Sequence, residues 1–479
     1  MGKMKSRKKK SIDASCLILG FTGSLGSGCT FLSEGVSGIL SDHGHYYRLS
    51  DVLNKIATER GLEQTVSNLQ DIGNELRSVI QDDGKPNLSF LIAACLKKIE
   101  SDIEKVNFTE DEKTVILIDG IKNEGEVKYL KQFPNFYLIS VQADRSVRSS
   151  RLVGATASKH RFNTEEEFLT ADKRDEEEDI PNGQQIKRCN YLADIIVNNN
   201  EVQESERKKR EFFNKFIEGY IQPMRKVRRG ETPHDRPPKI EETLMTLAYC
   251  VSKRSSCLKR KVGAVIAYVR NIKKEDKPED RDLQFQIVST GYNDVPAGKP
   301  CIFSDCGKCY RDYLQEEHAK KFKNCPNCGQ QIPDKINCPR CGSLSEIRTL
   351  QCSSCKRDLL ADYKCSNSSC ACEIFSTYLP GEKEAPGKLL DMCRALHAEE
   401  NAILGLSGIS KTGDGNLILV TTTFPCNLCA NKIVAAGIKT VYYAEPYTMK
   451  EAIEILSKCG VEPTKFQGIK SSAYFRLYG

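Results

Sequence analysis

The chain has 479 residues, more than one ordinary domain of roughly 100–200 residues holds, so two or three domains are expected. Its 39% hydrophobic and 28% charged residues are typical of a globular protein. It has no run of about 18 apolar residues and no apolar signal-peptide core, which argues against a membrane or secreted protein and predicts a cytoplasmic one. The net charge of +7 is concentrated in Lys5–Lys10 and Lys208–Arg229. Such runs either attract nucleic acid and phosphorylated ligands or are simply solvated.

The N-terminal half alternates short apolar segments with helix-like stretches. After a basic tail at residues 1–13, strands are predicted at 15–22, 115–119, 136–141 and 191–197. This alternation is typical of a parallel sheet covered by helices. We therefore predict a first α/β domain over residues 14–225.

The first predicted strand runs into a glycine-rich loop with the sequence GSLGSGCT. The loop fits the phosphate-binding (P-loop) pattern G-x-x-x-x-G-K-[ST] except at the lysine, which is Cys29. A P-loop kinase-like domain is therefore predicted, in which a nucleotide with Mg²⁺ would contact Gly23, Gly26, Gly28, Thr30 and Asp119.

Two interpretations of this loop remain open, because a P-loop without its lysine lacks the cation that neutralises phosphates during transfer. Kinase activity is therefore doubtful, and the loop either still binds a nucleotide or only supports packing. Arg145, Arg148 and Arg151 follow the third predicted strand, and are either phosphate ligands or surface residues.

A charged stretch and a proline-bearing segment (RRGETPHDRPPK) follow, and we predict a linker at residues 226–238. A second α/β domain is predicted at 239–479, with its strands at 262–269, 285–292, 417–423 and 441–444. Residues 301–372, between the second and third of these strands, interrupt the alternating pattern and are predicted to be an insertion.

The insertion holds twelve of the 22 cysteines, and in a cytosolic protein such clustering indicates metal sites. One tetrahedral structural zinc site is predicted from two C-x-x-C pairs, Cys325, Cys328, Cys338 and Cys341. A second is predicted from Cys352, Cys355, Cys365 and Cys370, with Cys372 as an alternative ligand. Cys306 and Cys309, with Cys301 or His318, form a third site or are free thiols. The zinc sites either stabilise the fold of the insertion, which is poor in apolar residues, or form a surface that binds nucleic acid or a partner protein.

Two short motifs in the second domain carry the chemistry. His397 and Glu399 form H-x-E, and Cys426 and Cys429 form P-C-x-x-C after Pro425. One imidazole and two thiolates suit Zn²⁺ and leave its fourth position for water, which a catalytic site needs. Zinc lowers the pKa of that water, and the resulting hydroxide can attack C4 of a cytosine ring. Glu399 would carry the proton from the water to N3 and then to the leaving amine. The alternative is a structural zinc site in which Glu399 is a solvated helix residue.

Residues 240–300 and 391–447 resemble the deoxycytidylate deaminases, in the segments SSC…VGAVI, GYN and CRALHAE. The resemblance implies a cytidine deaminase-like α/β/α domain and a sugar-binding role for Asn293, which is otherwise a plain turn residue. Glu445-Pro446-Tyr447 and the tail near Phe466 resemble a narrower group, the bacterial anti-phage dCTP deaminases, which join a degenerate P-loop domain to this deaminase.

The resemblance implies hydrolysis of dCTP or dCMP to dUTP or dUMP plus ammonia, which would deplete dCTP during infection. It also implies a homo-oligomer and, in the anti-phage group, repression by a small RNA. Three alternatives remain: a housekeeping dCMP deaminase for thymidylate supply, a polynucleotide cytosine deaminase, and a nucleotide sensor with an inactive deaminase. The intact Glu399 argues against the last of these.

Overall fold

A computed structural model describes the chain in segments. The described residues are 16–81, 84–103, 113–154, 162–178, 180–201, 205–225, 237–270, 285–295, 309, 335–337, 344–346, 363–364, 373–374, 393–406, 415–446 and 450–478.

The N-terminal elements alternate as the sequence predicts. The strands are β1 (Cys16–Thr22), β2 (Gly44–Arg48), β3 (Thr114–Asp119), β4 (Phe136–Gln142) and β5 (Ile195–Asn198). The helices are α1 (Cys29–Leu40), α2 (Ser50–Glu59), α3 (Val66–Ser78), α4 (Phe90–Ile103), α5 (Glu124–Leu130), α6 (Arg145–Leu152), α7 (Glu165–Glu176), α8 (Ile186–Leu192), α9 (Glu206–Phe216) and α10 (Gln222–Arg225). A 3₁₀ turn at Ser41–His43 follows α1, and a π-helical turn at Ile217–Ile221 joins α9 to α10.

These five strands form a parallel sheet in the order β5-β4-β1-β3-β2. Ile18 lies opposite Ile116 of β3 and Phe136 of β4, and every residue of these three central strands is buried. Strands covered on both faces must be apolar on both sides, which explains their continuous hydrophobic runs. The predicted parallel sheet is confirmed, although the last predicted strand begins at Ile195, because the residues up to Leu192 complete α8.

The second sheet belongs to the C-terminal half. Its elements are α11 (Ile240–Ser252), β6 (Gly263–Arg270), β7 (Phe285–Tyr292), α12 (Ala398–Leu404), β12 (Gly415–Thr423), α13 (Asn427–Ala435), β13 (Thr440–Glu445), α14 (Lys450–Lys458) and β14 (Glu462–Lys465). The order is β14-β13-β12-β6-β7, with parallel pairing on the β14 side of β12 and antiparallel pairing on the β7 side. All four predicted strands are present, and α12 and α13 pack on one face of this mixed sheet with a shared apolar cluster.

Within the predicted insertion the structure describes two small antiparallel pairs, β8 (Lys335–Asn337) with β9 (Leu344–Glu346), and β10 (Tyr363–Lys364) with β11 (Glu373–Ile374). Cys309 is described and buried. The other cysteines proposed as structural zinc ligands lie outside the described residues, so the two or three ribbon sites stay predictions. No helix among the described residues is long and apolar enough to cross a membrane.

The last residues of the chain return to the first sheet. Strand β15 (Gly468–Ile469) pairs antiparallel with β5, and helix α15 (Ser471–Tyr478) buries Ala473 and Leu477 in the core that covers β1. A further apolar cluster joins Ile196 of β5 to α11 and to the second sheet. The two predicted domains therefore share a packed interface. The domain boundary predicted at residue 239 does not indicate this contact between them.

Candidate active site

Two helix starts and one strand end build the candidate metal centre. His397 is the N-cap residue of α12, and Cys426 is the N-cap residue of α13, one turn before Cys429. Pro425 suits this place, because proline fits the entry to a helix and cannot lie inside one. Helix N-termini carry partial positive charge and stabilise thiolates, so the sequence places both cysteines where they bind metal best.

The three donor atoms converge. Nδ1 of His397 lies 3.3 Å from Sγ of Cys426 and 3.3 Å from Sγ of Cys429. All three atoms lie within 4.8 Å of one another, and they form the one such group found among the residues that the structure describes. One imidazole and two thiols at these separations fit a tetrahedral Zn²⁺ that keeps its fourth position open. The predicted ligand set is therefore brought together, and its role as the zinc site remains a proposal.

The electrostatics of this cluster favour metal binding. The pKa of Cys426 is lowered to about 4 by hydrogen bonding from Cys429 and then from His397, so that its thiolate form is favoured. The same hydrogen bond raises the pKa of Cys429, since the two sulfurs share one proton. The pKa of His397 is raised mainly by its hydrogen bond to Cys426. A divalent cation would release the shared proton, since both sulfurs bind metal as thiolates.

Glu399 lies beside the cluster and is nearly inaccessible, with 4% exposure. Its Oε2 is 3.7 Å from Sγ of Cys429, and its Oε1 is 3.5 Å from the hydroxyl of Thr421 on β12. Burial raises the pKa of the Glu399 carboxyl, as expected of a group that both accepts and donates a proton near neutral pH. The sequence motifs do not reveal Thr421 as a neighbour of Glu399, because the contact between them forms only where β12 passes under α12.

Close packing fixes the helix that carries His397 and Glu399. The side-chain amide of Asn401 donates to the carbonyl of Tyr292, and the hydroxyl of Ser289 donates to the carbonyl of Ala402. At Gly291 of β7 an added Cβ would lie 2.2 Å from the carbonyl oxygen of Ala398. The glycine of the GYN segment therefore allows α12 to lie directly on β7.

Asn293 lies at the end of β7 and is 8% exposed. Its side-chain oxygen accepts from the N–H of Val262, and its amide donates to the carbonyl of Arg260. Asn293 thus anchors the loop that leads into β6. Its sugar-binding role stays a prediction.

A buried carboxylate ties this loop to the strand before the cysteine motif. Glu445, at the end of β13, accepts from Nη2 of Arg260 at 2.7 Å and from the hydroxyl of Tyr249 at 3.3 Å. Its backbone carbonyl accepts from the N–H of Phe424, two residues before Cys426. Glu445 therefore positions two sides of the site at once.

In the first domain the structure brings together part of the predicted nucleotide site. Gly26 and Gly28 have φ of 77° and 97°, in the left-handed region that favours glycine, and Gly28 is the N-cap of α1. The hydroxyl of Thr30 donates to Oδ2 of Asp119 at 2.7 Å. These are the two side chains predicted to hold Mg²⁺.

The three arginines that follow the third predicted strand contact carboxylates and carbonyl groups of the protein itself. Arg148 is buried and pairs with Asp172, while Arg145, on the same helix, pairs with Asp172 and Glu176. Arg151 donates to the carbonyl of Gly26 at 3.2 Å. In the described structure Arg148 and Arg151 support the loop through the carbonyls of Leu25 and Gly26.

Comparison with known proteins agrees with the C-terminal site. Residues 281–445 match the family model described as the cytidine and deoxycytidylate deaminase zinc-binding region. A deoxycytidylate deaminase of Schizosaccharomyces pombe is 29% identical over 231 residues, which are 48% of this chain and 45% of that protein. A deoxycytidylate deaminase of Saccharomyces cerevisiae is 24% identical over 361 residues, 75% of this chain and 82% of that protein.

Among solved structures, a dCMP deaminase from the cyanophage S-TIM5 in complex with dCMP and dUMP is 20% identical. It covers 48% of this chain and 99% of its own length, with a TM-score of 0.24. This chain spans less than half of the S. pombe relative, and the family model covers the zinc-binding region and the insertion rather than the first domain. Residues 281–445 are therefore similar to the zinc-binding region of the cytidine and deoxycytidylate deaminases.

Proposed function

We propose that this protein is a zinc-dependent hydrolase that converts a deoxycytidine nucleotide, dCMP or dCTP, to the deoxyuridine nucleotide and ammonia. The observation that carries the proposal is the convergence of His397, Cys426 and Cys429 beside the buried carboxylate of Glu399. The match to a deaminase zinc-binding region and the relatives named deoxycytidylate deaminase support the same activity.

Each residue of the site has a role in this reaction. His397, Cys426 and Cys429 would hold the ion, which when bound lowers the pKa of a coordinated water and supplies the nucleophile. Glu399 would accept one proton from water and pass it to N3 of the cytosine as the oxygen bonds to C4. It would then accept the second proton, from the hydroxyl on C4, and pass it to the amine, which leaves as ammonia. Thr421 orients the carboxylate through its hydroxyl. Burial keeps bulk water away from the carboxylate, so its raised pKa suits a group that gives the proton back.

For the biological role we propose depletion of dCTP in infected bacteria. The support is the architecture, since a P-loop-like domain packs against the deaminase domain through a shared core. Such a second domain offers a place for the control of a defence enzyme, and a homo-oligomer or a repressing small RNA would give further control. A housekeeping dCMP deaminase for thymidylate supply is the second candidate, which the names of the yeast relatives favour.

The test measures ammonia release by the purified full chain on dCMP, dCTP, CTP and a cytosine-containing single strand, side by side. Release from dCTP at a rate equal to or above that from dCMP supports the dCTP-depleting role. Release from dCMP alone favours the housekeeping enzyme. Release from the strand alone would overturn both, because it would identify a polynucleotide deaminase.

A further inference from the structure

The P-loop of the first domain has lost its own cation. Cys29 occupies the place of the lysine in the pattern, and burial raises the pKa of its thiol to about 12, so it stays neutral. The rest of the loop keeps its form, with the left-handed glycines and the contact between Thr30 and Asp119. A phosphate chain bound here would need a positive charge from another part of the protein.

Lys122 follows β3, the strand whose last residue, Asp119, contacts Thr30 at the start of α1. It lies three residues after Asp119, just past the end of β3, and its ammonium group reaches towards the loop. Its ammonium group is ion-paired with Asp175, whose other carboxylate oxygen accepts the N–H of Leu25, so the ammonium group lies beside the loop. The Lys122 side chain is 26% exposed, so a ligand can reach it.

The Asp175 carboxylate contacts the two groups that a phosphate would bind, the Lys122 ammonium and the backbone N–H of Leu25. Its carboxylate, with 0% side-chain exposure, is ion-paired with Lys122, and its Oδ2 accepts the backbone N–H of Leu25 in the loop at 3.1 Å. Burial raises the pKa of this carboxyl, as expected of an anion enclosed without solvent. Backbone N–H groups of such loops bind phosphate oxygens. A carboxylate oxygen at the Leu25 N–H therefore stands where a phosphate oxygen would bind.

The neighbouring arginines do not compete for this role in the described structure. Arg148 donates to the carbonyl of Leu25 and pairs with Asp172, and Arg151 donates to the carbonyls of Gly26 and Asn199. Both are engaged on the carbonyl side of the loop. Lys122 is the cation on the N–H side, where its side-chain partner among the described residues is the buried carboxylate of Asp175.

We propose that Lys122 replaces the missing loop lysine as the cation for the phosphate chain of a nucleoside triphosphate, and that the Asp175 carboxylate is the internal competitor that the phosphate displaces. This site is separate from the deaminase centre. Its nucleotide affinity should depend on how strongly the Asp175 carboxylate and the incoming phosphate compete for Lys122 and for the N–H of Leu25.

The test measures binding of Mg²⁺-tripolyphosphate and of Mg²⁺-ATP to the full chain by titration calorimetry, with excess dUMP, the product of dCMP deamination, present to occupy the deaminase centre. Lys122→Met should weaken binding of both probes at least tenfold. Asp175→Asn should tighten binding several-fold, because the amide can still accept from Leu25 but no longer repels phosphate. Lys128→Met is the matched control, since it removes an exposed lysine of α5 that pairs with Glu124, and its affinity should equal that of the unmutated chain.

If Lys122→Met fails to fold, the double variant Lys122→Met/Asp175→Asn removes both charges together and should fold and bind weakly. The inference is overturned if Lys122→Met binds like the unmutated chain, if Asp175→Asn binds no more tightly, or if neither the unmutated chain nor Asp175→Asn binds either probe. Ammonia release is measured on the same protein preparations without dUMP. Tight probe binding without deamination would keep this inference and reject the proposed function, and the reverse result would do the opposite.

Discussion

Gly291→Ala tests whether the packing of α12 on β7 sets the geometry of the site. The new Cβ would lie 2.2 Å from the carbonyl oxygen of Ala398 and 2.4 Å from the backbone nitrogen of Ala402, and both are helix backbone atoms that cannot rotate away. Restoring an ordinary contact moves α12 by about 1 Å, and overpacking of this kind costs about 1–3 kcal/mol of stability. Because Ala398 lies between His397 and Glu399, the shift displaces a metal ligand and the proton carrier together.

A displacement of about 1 Å at reacting groups lowers turnover about a hundredfold. We therefore expect Gly291→Ala to remain folded and to release ammonia from its best substrate about a hundred times more slowly than the unmutated chain. Stability is measured by urea unfolding and turnover by coupled ammonia detection. Gly38→Ala is the control, since an added Cβ there in α1 meets nothing within 4 Å. A folded Gly291→Ala protein with full turnover would refute the claim that this contact positions the site.

Two further predictions concern stability and metal content. Burial lowers the pKa of Lys470 to about 7, whereas a lysine in the unfolded chain titrates near about 10.4. Between these two pH values the unfolded chain therefore binds more protons at Lys470 than the folded chain does. As a result, the contribution of Lys470 to the free energy of unfolding rises with pH. The advantage of Lys470→Met over the unmutated chain in urea unfolding should therefore shrink by about 2 kcal/mol from pH 7 to pH 9, and an advantage independent of pH would contradict the burial argument. Replacing both Cys325 and Cys328 with serine should remove one zinc ion per chain and lower the melting temperature while the folded fraction keeps its turnover; unchanged zinc content would reject the first ribbon site.

The sequence predicts most of this fold because local chemistry dictates it. A run such as Thr114–Asp119 has apolar side chains on both faces, and only a strand buried between two helical layers satisfies it. The candidate metal donors are equally predictable, because H-x-E and P-C-x-x-C place these side chains at helix starts through short-range geometry. In the structure the two helix starts lie close together, and their donor atoms are within 4.8 Å of one another.

Contacts between residues distant in the chain could not be predicted in this way. Strand β15 has two residues, Gly468 and Ile469, too few to show a hydrophobic period, and its pairing with β5 depends on the packing of both halves. Lys470 follows it and is wholly buried, with its ammonium group 4.0 Å from the ring centre of Tyr249. A lysine in a short polar stretch ordinarily indicates solvent, so no pattern in the sequence marks this one as part of an interface.

The same reasoning applies to Lys122 and Asp175, which are 53 residues apart. Each lies in a charged stretch that looks solvated in the sequence, and only the return of α7 against the P-loop brings them together. The loss of the loop lysine is visible at Cys29, whereas its replacement requires the three-dimensional structure.

The most direct test of the deaminase assignment compares Glu399→Gln with the unmutated chain at equal zinc content. The substituted amide keeps the volume of the side chain and leaves the three ligands of the ion in place, but it cannot carry a proton. The variant should retain one zinc ion at the His397 site, as measured by metal analysis against a His397→Ala control. Its ammonia release from both dCMP and dCTP should fall by at least about a hundredfold, since general acid–base catalysis contributes about 10²–10⁴-fold. Ammonia release by zinc-loaded Glu399→Gln equal to that of the unmutated chain would contradict the mechanism.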